Sequence, residues 1–210
     1  MNDCIFSAHC TELVCDRSCP AYIQTSYLLE RNNISLSSPV FYKYSSKIPA
    51  ILDMLDEDSP ILQTYVVDSD MNTIDASDLI TYCAICKYWR GSQLHCTVYN
   101  LRYSKYIDET KKSWTNSSNS EAVEYMKIWA ESAKVLVVSN FDYIKFGDFE
   151  SQTLLNLIQT RQSARLLTIL VSPPIKNLIT GSSAFANVLI HTISDASNKP
   201  LKFRKMGVID

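Results

Sequence analysis

A chain of 210 residues with 46% apolar and 20% charged content can build one sizeable domain with a small appendage, and this balance excludes a disordered chain. No apolar run approaches the length of a membrane-spanning helix, and the first residues lack a signal peptide's basic and apolar regions, so the cytosol is the expected compartment. The formal charge of −2 excludes a global pull towards nucleic acid, although residues 53–78 hold eight acids and no base while 87–112 hold six Lys/Arg against two acids.

Residues 4–19, CIFSAHCTELVCDRSC, place Cys4, Cys10, Cys15 and Cys19 in one short stretch with His9 beside them. In a reduced compartment, clustered thiols hold metal more often than they form disulfides. Four thiolates this close can surround a tetrahedral zinc ion. The spacing departs from the usual paired C-x2-C form, so an iron–sulfur cluster is an alternative, and buried free cysteine is the bland one. His9 reads as a neighbour of the site. Pro20 suits the first turn of a helix predicted to run to residue 31 and to stop at Asn32-Asn33. That helix offers Tyr22, Ile23, Tyr27 and Leu28 as apolar and aromatic anchors for a partner. Residues 1–33 thus read as a cysteine-rich metal-binding module, the serine-rich 34–46 as a linker, and 47–210 as the body.

In the body, Ile48, Ile51, Leu52 and Leu55 have helical spacing, and an acidic run ends that helix before Pro60. Residues 62–67 are predicted as the first strand. A polar loop over 68–78, DSDMNTIDASD, comes next, then a helix over 79–89 with Ser77 or Asp78 as its N-cap. A phosphate-binding loop of the GxxxxGK[ST] type belongs between first strand and first helix. This one has no Gly, no Lys and four aspartates, and its field would repel a triphosphate. The aspartates lack the turn glycine of an EF-hand, so a solvated loop is preferred to a cation site. Cys83 and Cys86 sit in an apolar helix and read as core. A second strand is predicted over 94–100. Around it, Arg90, Arg102 and Lys105 with Tyr103 combine bases and a stacking ring, as a single-stranded nucleic acid requires; half-buried packing is the alternative.

Ser118 and Glu121 have capping-box spacing and open a helix in which Ala122, Tyr125, Met126, Trp129 and Ala130 share a face. Residues 135–138 and 166–171 are short, uninterrupted apolar runs, as strands buried on both faces of a parallel sheet read. Between them lies an amphipathic helix with Leu154, Leu155, Leu157 and Ile158 on one side and Gln152, Asn156, Gln159 and Arg161 on the other. Strand, crossover helix and parallel strand predict an α/β fold with a parallel sheet between helical layers. Ser172-Pro173-Pro174 stops the last run, and a helix broken near Gly181 is expected over 175–190. The basic tail 199–205 reads as a solvated terminus, with a last strand as the alternative.

The four-cysteine stretch with CDRSCPAYIQTSYLLERNNI, and the later AKVLVVSNFDYIKFGDFESQTLLNLIQTRQSARLLTILVS, resemble the DnaC-type helicase loaders of phages and mobile elements, a family of AAA+ ATPases. The resemblance implies a P-loop-like AAA+ body, and an N-terminal module that holds a replicative helicase or sits beside an active loader subunit in a bacterial cytoplasm. Every nucleotide-handling part departs from that pattern. The phosphate-loop position lacks glycine and lysine, and the acidic pair after the third strand is replaced by Ser139-Asn140, with Asp142 displaced behind Phe141. Ser172-Pro173 stands where a polar sensor is expected, and GSSAFANVLI carries no arginine finger. Losing the cradle, the Mg²⁺ acids and the arginine together removes the terms that phosphoryl transfer depends on, so no ATP and no catalytic residue are expected. A single-strand-binding accessory module is the second expectation. Another kind of enzyme is the weakest, since His9, His95 and His191 make no catalytic constellation.

Overall fold

Among the described residues five short strands, β1 (Thr64–Asp68), β2 (Val98–Arg102), β3 (Val135–Ser139), β4 (Leu167–Ser172) and β5 (Phe203–Lys205), pair in the order β2-β3-β4-β1-β5, every pair parallel. The structure, a computed structural model, describes residues 20–35, 37–56, 64–68, 71–90, 98–140, 147–172 and 203–205. Cys4, Cys10, Cys15, Cys19 and the helix expected over 175–190 lie outside the described residues. Helices α1 (Pro20–Arg31), α2 (Pro39–Lys43), α3 (Ile48–Asp56) and α4 (Thr73–Arg90) precede the second strand, apart from β1 between the last two. Helices α5 (Tyr103–Ser113) and α6 (Ser120–Ser132) lie between β2 and β3, and α7 (Asp148–Ser163) between β3 and β4.

The two-residue period of the strands divides the apolar side chains between two cores. Val135, Val137, Ile169 and Val171 join α1–α4 in the first, while Leu136, Val138 and Leu170 join α5–α7 in the second. Crossovers of one hand require this division. The chain steps outward from β1 to the edge at β2, then returns through β3 to β4, so the two sets of helices fall on opposite faces. The helix predicted between the two apolar strands is α7, which buries Leu154, Leu157 and Ile158.

Several expectations give way. In the described part of the stretch expected as a linker, Ser38 caps α2, Val40 and Phe41 are buried, and the Phe41 ring stacks on Tyr82 with centroids 4.3 Å apart. The chain is turned into that position at the end of α1. Asn33 takes φ 57°, its N–H reaches the Glu30 carbonyl and the Ile34 N–H reaches that of Leu29, both at 2.9 Å. Leu29 and Ile34 are both buried, which completes the αL helix stop with its apolar contact. Described residues of the expected module and linker are therefore packed as part of the first core. The polar loop is shorter than expected, since α4 begins at Thr73, and the stretch 103–113 is the helix α5. The tail supplies β5 beside β1, the alternative to a solvated terminus. In α6, Ala130 is buried but Ala122 and Tyr125 are exposed. Arg161, assigned to the solvent side of α7, is fully buried.

Candidate functional site

In open parallel sheets, ligand chemistry gathers at the carboxyl ends of the strands. Here β1 ends at Asp68 and α4 begins at Thr73, leaving the four residues 69–72 between them. The helix starts early because Asn72, not Ser77 or Asp78, is its cap. The Asn72 Oδ1 accepts the Ile74 N–H at 2.9 Å and the Asn72 carbonyl accepts that of Ala76 at 2.9 Å. One amide of the helix terminus is thus already satisfied from within. Asp75 and Asp78 stand on the helix itself.

Alternation along β2 places Asn100 and Arg102 on the side of Val98, against α4. They meet Asp78 there. The Asn100 Nδ2 donates to Asp78 Oδ1 at 3.0 Å, and an Arg102 guanidinium nitrogen lies 3.5 Å from the same oxygen. Burial pushes the Asp78 carboxyl up to about 6, against the opposing pull of Arg102 and the Asn100 hydrogen bond. Ser139, in register with Arg102, is fully buried. Its Oγ, the Asn100 Oδ1 and the Asn140 Oδ1 have no hydrogen-bond partner among the described residues. Asn140 holds φ 67° and donates through Nδ2 to the Ser104 Oγ at 2.6 Å. Asp78, Asn100 and Arg102 thus form a small polar group on the first face, and buried oxygens at the end of the neighbouring strand β3 are left unpaired among the described residues.

Across β3, the opening of α7 is tightly tied. Glu150 Oε2 accepts the Gly147 N–H at 2.9 Å, and a Cβ at position 147 would lie 3.0 Å from that oxygen, which favours glycine. The other oxygen lies 2.5 Å from the Lys111 ammonium, which holds the Glu150 carboxyl below its ordinary range. Tyr103 donates its phenolic proton to the Glu150 carbonyl at 2.6 Å.

The expected nucleic-acid residues do not come together. Tyr103 is fully buried in the second core and cannot stack on a base. Arg102 is paired with Asp78, and Lys105 is exposed on α5. Arg90 is the last residue of α4, whose 18 residues span about 27 Å, so it stands towards the amino ends of the strands while Arg102 closes the carboxyl end of β2. Of the partner-binding set, Ile23 and Tyr27 are more than half exposed, Tyr22 is half-buried, and Leu28 packs against the first core.

Asn32 was not singled out by sequence, yet it closes the edge of the sheet. Its Oδ1 accepts the Asn100 N–H at 2.6 Å and its Nδ2 donates to the Val98 carbonyl at 3.1 Å, as a neighbouring strand would. The signal for Asn100 was present: Val98, Asn100 and Arg102 share one face of a strand, and a polar residue amid that pattern marks a partnered position. No metal-holding group of three or more His, Cys, Asp or Glu occurs among the described residues. No helix among them is long and apolar enough to cross a membrane. A comparison with protein-family models finds no match, and a comparison with curated proteins finds none either.

Proposed function

We propose that this chain is a helicase-loader-like protein of phage or mobile-element DNA replication, working in a bacterial cytoplasm by protein–protein binding on an AAA+-like frame that has lost ATP hydrolysis. One observation carries the reading: a parallel α/β frame of P-loop-like layout whose β1–α4 junction is four residues long, contains no glycine, and is capped by Asn72. A phosphate cradle requires a longer, glycine-bearing loop with free N–H groups and a lysine. Without nucleotide, no differential ligand is left to drive a loader's ATP-linked switch, so the chain acts by recruiting, blocking or completing an assembly. The partner is the replicative helicase or an active loader subunit. The Cys4, Cys10, Cys15 and Cys19 donor set, four soft thiolates, suits one structural zinc in the same N-terminal region.

Titration of the full chain with Mg-ATP in a calorimeter, alone and with the replicative helicase, tests this. The expected result is no heat with nucleotide, together with helicase association that nucleotide leaves unchanged. Micromolar ATP binding would overturn the inactive-ATPase reading, and absence of any association would overturn the loader reading. The single-strand alternative loses Tyr103 to the core and Arg90 to the far end of α4, and among the described residues no cluster favours it.

A further inference from the structure

The edge strand β2 lies at the floor of a cleft of about 210 Å³ between α1 and α6, lined by Leu28, Arg31, Val98, Tyr99, Met126 and Trp129. On the same two helices Ile23, Tyr27, Tyr125 and Ile128 are each about half exposed, and Tyr125 also lines the cleft. Trp, Tyr and Arg are the residues in which binding energy concentrates at interfaces. Arg31 is the charged group of the cleft. Its guanidinium carbon lies 4.1 Å from the Trp129 ring centroid and 5.9 Å from that of Tyr27. Contact with a ring face uses no N–H, so the planar fork is left for a carboxylate, and among the described residues no ion pair engages it.

The geometry points to this cleft as a docking groove for an amphipathic helix of a partner protein, carrying one carboxylate within its apolar stripe for Arg31 and basic residues along its flanks. Three observations select that occupant. Strand addition is obstructed, because Asn32 already occupies the Val98 carbonyl and the Asn100 N–H of the edge. Binding must therefore go through side chains, for which a helix between two helices is suited. The carboxylate follows from Arg31. The basic flanks follow from Glu30, Glu121 and Glu124, exposed on the same two helices, which also oppose a phosphate backbone.

The inference rests on the reading that the chain acts by protein binding, and extends the Ile23–Tyr27 face to a groove that α6 completes. Helical peptides displayed as a random library are selected on the full chain and counter-selected on Tyr27→Ala. Winners are then titrated by fluorescence anisotropy against wild type and Arg31→Glu, each checked by its melting curve. The expected winners carry apolar residues at i, i+3/i+4 and i+7 with one Asp or Glu in the stripe. Arg31→Glu should weaken them tenfold or more at unchanged melting temperature. Winners indifferent to Tyr27 and Arg31, or winners without the stripe acid, overturn the groove. So does a chain dimer in sedimentation that Tyr125→Ala dissolves, which would make a second copy the occupant, or an oligonucleotide that Tyr125→Ala releases. Groove-dependent peptides with no helicase association would retire the loader reading alone. Helicase association insensitive to Arg31→Glu, with no groove-dependent peptide, would retire the groove alone.

Discussion

Two charged side chains, the buried Arg161 on one face of the sheet and the half-buried Asp78 on the other, are treated in opposite ways. On the second face, every guanidinium nitrogen of Arg161 is hydrogen-bonded. Its guanidinium donates to the carbonyls of Ala130 at 2.8 Å, Glu131 at 3.3 Å, Ala133 at 2.8 Å and Leu167 at 2.5 Å, and to the Thr168 Oγ1 at 2.9 Å. Burial pulls it down to about 10, so it remains a cation at neutral pH. It caps the carbonyl end of α6, where a helix is negative and its last acceptors lack partners. On the first face, Asp78 has one good donor and one long one, amid buried oxygens left unpaired. A filled network of this kind is architecture. A half-filled one has room for something else, whether water, a proton or a ligand.

The largest effect expected from this contrast belongs to Arg161. Replacing it by Leu leaves the end of α6 and the Leu167 carbonyl without donors, and urea unfolding should show a loss of about 3–5 kcal/mol. Arg161→Lys should recover only part, because one ammonium cannot reach five acceptors on two segments at once. A loss under about 1 kcal/mol in Arg161→Leu would mean that the network costs as much to desolvate as it returns.

Why the sequence misplaced Arg161 is instructive. It lies seven, four and three residues after Leu154, Leu157 and Ile158, so the helical period puts it on the buried stripe, and residue type alone sent it to the solvent side. Strand β3 and helix α7 were legible because an unbroken β-branched run and a long apolar period admit few other structures. Helix α5 was not. Its buried stripe is only Tyr103, Tyr106 and Ile107, and two tyrosines among lysines resemble a stacking surface as much as a core face. The groove escaped for a different reason: α1 and α6 are separated by some ninety residues, and only the topology sets them on either side of β2. Local pattern carries elements, while satisfied networks and shared clefts depend on which elements meet.

Asp78 gives the second effect, and its sign is fixed. The folded carboxyl holds its proton more tightly than the unfolded chain does, so its contribution to stability is full below about pH 4 and is lost as pH rises to about 6. The shift corresponds to about 3 kcal/mol at most, and the partly solvated setting beside Arg102 reduces this to about 1–2 kcal/mol. Asp78→Asn should therefore be more stable than wild type at pH 7 and lose the pH slope between about 4 and 6, as denaturant melts across that range would record. A variant that is weaker at pH 7 with the slope intact would place the weight of the cluster on the Arg102 ion pair.

The smallest effect separates an unfilled site from a hidden bond. Ser139 is fully buried, its Oγ has no partner among the described residues, and it stands in register with Arg102 at the mouth of the cluster. A buried hydroxyl that makes no hydrogen bond costs stability, so Ser139→Ala should be neutral or gain up to about 1 kcal/mol while leaving the Asp78 pH slope in place. Arg161 and Ser139 then differ in the sign of their truncation as well as in size, which is what a filled and an unfilled network predict. A loss above about 2 kcal/mol in Ser139→Ala would show that the hydroxyl is bonded, for instance through buried water joining it to the free Asn100 Oδ1, and the two faces would then be alike in being fully paired.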